Sequence, residues 1–100
     1  MAYEGASLDA NLAAAAGHDP ELVRELRAAF LESATVQVDL LGRSRCDGNW
    51  QVAAMRLKGL AASFHADGLL LLAEEALEGV PGDPVIIRRL HAMLGDLAIS

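Results

Sequence analysis

The chain has little of what most often builds compact chemistry. Its single cysteine, Cys46, rules out an internal disulfide and a cysteine-rich zinc site, and it suits a reducing compartment. Aromatic residues make up only 4% of the sequence. Basic residues number 8 against 14 acidic ones, for a net charge of −6. No basic stripe is present to neutralise phosphates, which argues against nucleic-acid binding, and the same sign disfavours an anionic membrane surface. Apolar runs are short, as at Leu69–Ala73, and fall far below the ~20 residues that span a bilayer. Residues 1–20 hold Glu4 and Asp9 but no lysine or arginine, so the charged start of a signal peptide is not expected. Alternating strand patterns and repeats of ~20–50 residues are also missing. These absences lead to the expectation of a small, acidic, soluble, cytoplasmic protein. A length of 100 residues allows one core, so residues 1–100 are read as a single domain with a flexible start over residues 1–6.

What is present is helical. Hydrophobic residues form 53% of the chain, many of them alanine, a helix former rather than core bulk. Ser7 is expected to cap a short helix to Ala16, with Leu8 and Leu12 on its apolar face and Gly17 as its stop. Asp19-Pro20-Glu21 reads as an N-cap, a proline at the first helical position and an acid at the positive dipole end. Leu22, Leu26, Ala29, Phe30, Ser33, Val36 (or Gln37), Leu40 and Leu41 then recur at helical spacing to a stop between Arg43 and Cys46. Asp47-Gly48-Asn49 reads as a break. A third helix from about Asn49 places Trp50, Ala53, Leu57, Leu60, Ala61 and Phe64 inward. A fourth, Asp67 to Glu78, buries Leu69, Leu72, Ala73 and Ala76. Gly79-Val80-Pro81-Gly82-Asp83-Pro84 forbids helix. A last helix, Pro84 to Ala98, presents Ile86, Leu90, Leu94 and Leu97 on one face. Short links between amphipathic helices predict an all-α, up-down antiparallel four-helix bundle with an added short N-terminal helix.

The third helix carries the most specific pattern, Met55-Arg56-Leu57-Lys58-Gly59, followed by Ala66 and Leu69. It resembles the histidine-containing phosphotransfer (HPt) domain of bacterial phosphorelays, whose helix reads His-x-Leu-Lys-Gly with a Gly-Ala pair further on and a leucine-rich helix after it. The Asp19-Pro20-Glu21 opening, the long second helix, the Asp-Gly-Asn-Trp turn and the last helix also sit where that family has theirs, over roughly residues 8–98. The resemblance implies a two-component signalling module. It also departs from the pattern twice. The phospho-accepting histidine falls on Met55, and the glycine before Ala66 falls on His65. A thioether offers no ionisable nitrogen to take a phosphoryl group, so phosphotransfer is not expected to carry over.

Helical geometry alone places these residues. At 100° per residue, Met55 lies about 170° from the direction of the predicted apolar stripe, and Gly59 and Ala62 about 150° from it. Gln51 and Lys58 flank the same outward face, and Arg56 sits at its edge. A methionine and two small residues thus stand where a plain surface helix carries Glu or Lys, and methionine suits adaptable binding surfaces. The resemblance implies that this face docks a receiver domain of a response regulator or a histidine kinase, with Lys58 meeting its acidic pocket. Gln51, Met55, Arg56, Lys58, Gly59 and Ala62 are therefore the candidate partner-binding residues.

The other ionisable residues form no reaction centre. His18, His65 and His91 are expected at the surface, without the spacing of a metal site, and His65 lies about 15 Å along the helix from Met55. Glu74, Glu75 and Glu78 read as a solvated acidic face. No phosphate loop or Ser-His-Asp order is found, so the expectation is a non-enzymatic module with no metal or cofactor, monomeric or a weak homodimer. Two alternatives come from other classes: a phosphotransferase that uses another histidine, and a structural domain that self-associates through Met55. A helix-turn-helix DNA binder is disfavoured by the charge.

Overall fold

Helix starts and stops follow local chemistry along the chain. The computed structural model describes the backbone of residues 2–99 and the side chains of residues 8–98. Five helices follow in order: α1 Ala2–Ala15, α2 Pro20–Arg43, α3 Asp47–Ser63, α4 Asp67–Glu78 and α5 Pro84–Ile99. Among the described residues there is no strand.

Two helix starts differ from the sequence reading. Helix α1 begins at Ala2, ahead of Ser7: no proline interrupts residues 2–7, and the single glycine there, Gly5, does not end the helix. Ser7 therefore stands inside the helix; its side chain, like those of residues 1–6 with their expected flexibility, lies outside the described residues. The break expected at Asp47-Gly48-Asn49 is instead the first turn of α3. Cys46 is extended (φ −145°, ψ 160°) and its Sγ accepts from the Asn49 N–H at 3.5 Å, so it caps a helix that starts two residues before the expected Asn49. Asp47 then meets the positive end of the dipole.

Elsewhere the expected signals operate. Gly17 (φ 65°) turns the chain after α1, and the next N–H, from His18, closes on Ala13 O at 2.8 Å. Asp19 Oδ1 accepts from Glu21 N at 3.0 Å at the start of α2. Asp83 Oδ1 accepts from Val85 N at 2.9 Å at the start of α5.

Helix α2 packs against α3 and α5, α3 against α4, α4 against α5, and α1 against α2 and α5. The buried faces of α4 (Leu69, Leu72, Ala73, Ala76) and α5 (Ile86, Leu90, Leu94, Leu97) are those predicted, as are Leu8 and Leu12 of α1. On α3 the buried set is Trp50, Ala53, Ala54, Leu57 and Ala61. Leu60 and Phe64, expected in the core, are only partly buried against it, because the stripe is rotated toward Ala54. Phe64 closes the end of the core by packing on Phe30, with ring centroids 4.9 Å apart.

The larger correction is on α2. Its buried face is Phe30, Ala34, Val38 and Leu41, whereas Leu22, Val36 and Leu40 are exposed. Ala29 and Ser33 are exposed as well. The helix carries two apolar stripes about 130° apart at its ordinary twist, and only one of them faces the core.

Two polar contacts lock the helices together. Trp50 Nε1 donates to Ala76 O at 2.8 Å, satisfying a carbonyl of the last turn of α4 that has no partner within its own helix. The largely buried Arg27 guanidinium donates both to Asp9 of α1 and to the Leu97 carbonyl in the last turn of α5. One α2 side chain thereby holds both flanking helices and complements the negative end of the α5 dipole.

Candidate interaction face on helices α2 and α3

Burial of Trp50, Leu57 and Ala61 fixes the rotation of α3 and turns its opposite side to solvent. Met55 is 59% exposed, and Gln51, Arg56, Gly59 and Ala62 are exposed with it. A Cβ built on Gly59 would meet nothing within 4 Å, so no neighbouring helix requires a glycine there. Lys58 is half-exposed, and its Nζ lies 3.8 Å from Glu74 Oε2 on α4. The six candidate residues thus share one side of α3, with Lys58 leaning toward α4.

The face is wider than the sequence reading allowed. Val36, Leu40 and Val52 are exposed at 49%, 37% and 49%. Leu40 and Val52 line one groove, opposite each other across the α2–α3 contact. The link Ser44–Cys46 is short, so α2 and α3 run antiparallel, and Val36 and Met55 each stand one turn farther from that link. These side chains make a loose apolar ladder whose one rung within the groove is Leu40 with Val52, while Val36 and Met55 stand exposed one turn farther on, outside the groove lining. Four of the eight large exposed hydrophobic residues of the described chain belong to it. The missed signal was the i, i+4 pair Val36–Leu40 on the second stripe of α2, together with Val52–Met55 at i, i+3 on α3.

Beyond the Leu40–Val52 rung the groove becomes basic. Arg43, Arg45 and Arg56 line it, with Asn49 beside them. Arg43 pairs with Asp39 at 3.0 Å along its own helix, with both side chains well exposed.

The histidines lie apart from this face. His18 follows α1, His65 follows α3, His91 lies on α5, and all three are exposed. His65 has φ 56°; its N–H bonds to Ala62 O at 3.2 Å and that of Ala66 to Ala61 O at 2.9 Å. This is the left-handed helix ending that glycine ordinarily provides, so His65 terminates α3 through its backbone.

Among the described residues, no group of three or more His, Cys, Asp or Glu side chains is placed to hold a metal ion. Among the described residues no helix is long and apolar enough to cross a membrane. No family model, curated protein or solved structure matches the chain.

Proposed function

We propose that this chain is a degenerate HPt-like module that binds receiver domains of response regulators, or histidine kinases, without carrying phosphate. In this reading α2 to α5 are the up-down four-helix bundle of that family and α1 is the added N-terminal helix. The observation that carries it is Met55. It stands at the phospho-acceptor position of the His-x-Leu-Lys-Gly pattern the helix resembles, is exposed to solvent, and shares that side of α3 with the small residues Gly59 and Ala62. Such a surface favours association, since methionine adapts to varied partners and the small Gly59 and Ala62 leave the helix backbone open to approach. It offers no nucleophile for phosphoryl transfer. The module would act by sequestering a receiver, competing with active phosphotransfer proteins or scaffolding a relay.

The test is a calorimetric binding screen of the whole chain against receiver domains, phosphorylated and unphosphorylated, with wild type and Met55→Glu side by side. Selective binding that Met55→Glu weakens at least tenfold supports the proposal. Stable phosphohistidine on the wild-type chain overturns its inactive character, and receiver binding indifferent to Met55→Glu overturns the docking face.

A further inference from the structure

The arginine groove has a charge opposite to that of the molecule around it. The chain holds 8 basic residues and a net charge of −6, yet three arginines, Arg43, Arg45 and Arg56, line this one groove. Most of the other cations are engaged: Arg27 with Asp9, Lys58 with Glu74, and Arg89 with Glu75. Among the described residues Arg45 and Arg56 are unengaged, as are Arg24 and Arg88 elsewhere on the surface. Neither Arg45 nor Arg56 has an ion pair or hydrogen bond there, and both are exposed. Only Arg43 is partly neutralised, by Asp39. Two free planar guanidinium groups at the end of an apolar ladder are suited to bidentate capture of carboxylates.

We propose that the groove between the end of α2 and the start of α3 receives an acidic amphipathic helix of a partner protein. The partner's apolar side chains would lie on Leu40 and Val52, and continue onto Val36 and Met55. Its carboxylates would meet Arg45 and Arg56. The groove encloses about 880 Å³ and is open along one side, which suits several side chains of a docked helix better than a single ion. A second copy of this chain is a poorer occupant. Its net charge opposes self-association, and Glu74 and Glu75 on its acidic α4 are already paired within the molecule. The inference shares the Met55 ladder with the proposed docking face but needs no phosphorelay, since any partner with such a helix satisfies it.

The experiment titrates the whole isotope-labelled chain with a synthetic helical peptide that carries leucines on one face and a glutamate cluster at one end. A control peptide has every glutamate replaced by lysine. The expected result is amide shifts centred on Leu40, Arg45, Val52 and Arg56 with the acidic peptide only. Affinity should fall as salt rises. The double variant Arg45→Glu/Arg56→Glu should lose at least tenfold in affinity while keeping the Trp50 emission of the folded core. Equal binding of both peptides, shifts that map elsewhere, or binding unaffected by the double variant would overturn the inference. So would saturation of the groove by inorganic phosphate alone without peptide binding, or concentration-dependent self-association that the double variant abolishes. Acid-selective peptide binding in a chain that ignores every receiver domain would keep this inference and remove the phosphorelay reading.

Discussion

Lys58 on α3 and Glu74 on α4 face each other across the helix contact, with Nζ to Oε2 at 3.8 Å and both side chains 42% exposed. The lysine that the HPt resemblance sets beside the phospho-acceptor position is therefore already within ion-pair distance of a neighbouring helix, and a partner would compete for it. A pair this exposed contributes roughly 0–1 kcal/mol to folding.

The first prediction follows from that competition. Glu74→Gln should change stability by less than about 1 kcal/mol and tighten receiver binding a few-fold at low salt, because the ammonium is released for the partner. Lys58→Met should weaken the same binding. Calorimetry at low and high salt reads both effects. Equal weakening by the two variants would show that Glu74 itself touches the partner.

A second prediction concerns the core. Trp50→Phe removes the 2.8 Å hydrogen bond to the Ala76 carbonyl, leaves that terminal carbonyl of α4 buried without a donor, and shortens a fully buried side chain. An unsatisfied buried acceptor costs about 1–3 kcal/mol and the lost volume adds to it, so a total loss of about 3 kcal/mol is expected. Urea unfolding followed by circular dichroism measures it. A loss below about 0.5 kcal/mol would mean that the carbonyl finds another donor.

How far the sequence could be read depended on how many apolar stripes each helix carries. Helices α4 and α5 have one each, so Leu69, Leu72, Ala73 and Ala76, and then Ile86, Leu90, Leu94 and Leu97, were placed correctly by periodicity alone. Helix α2 has two. The bulkier Val36 and Leu40 drew the assignment away from Ala34 and Val38, which lie in the core. Burial of alanine depends on how closely neighbouring helices approach, and that distance is a tertiary quantity. The outward direction of Met55 was legible, because Trp50 and Leu57 fix the phase of α3. The arginine groove was not legible, since Arg43, Arg45 and Arg56 converge only after the chain reverses at Ser44–Cys46.

The junction after α3 supplies a third prediction. His65 holds φ 56°, a left-handed conformation that strains residues with a Cβ by roughly 1–2 kcal/mol and costs glycine little. Its side chain is exposed, so little packing is lost on removal. His65→Gly should therefore raise stability by about 1 kcal/mol and leave the helix ending unchanged. Where the HPt pattern it resembles has glycine, this chain thus makes the same kind of turn with a histidine, at an energetic cost. Thermal unfolding of the variant checks this, and a fall in stability would show that the imidazole makes a stabilising contact.

The fourth prediction asks whether the Met55 face keeps the geometry of a phosphotransfer site. Met55→His places an imidazole at an exposed position, two residues before Leu57-Lys58-Gly59, as in the pattern of the family it resembles. Folding should be nearly unaffected, because exposed substitutions usually fall within about ±0.5 kcal/mol. An imidazole with its ordinary pKa of ~6.5 is mostly neutral at neutral pH and therefore nucleophilic. Gly59, one turn away with open space where a side chain would stand, leaves a path to the ring. Transfer further requires the receiver to hold its aspartyl phosphate in line with the ring nitrogen at about 3–3.5 Å. If docking occurs over Met55, Met55→His should gain an acid-labile, base-stable phosphate from a phosphorylated receiver, while wild type gains none. His65→Gly combined with Met55→His should transfer at least as well, because the helix ending is the same in both. A receiver that binds Met55→His tightly yet never phosphorylates it would show that the partner sits elsewhere on the ladder, nearer Leu40 and Val52 than Met55.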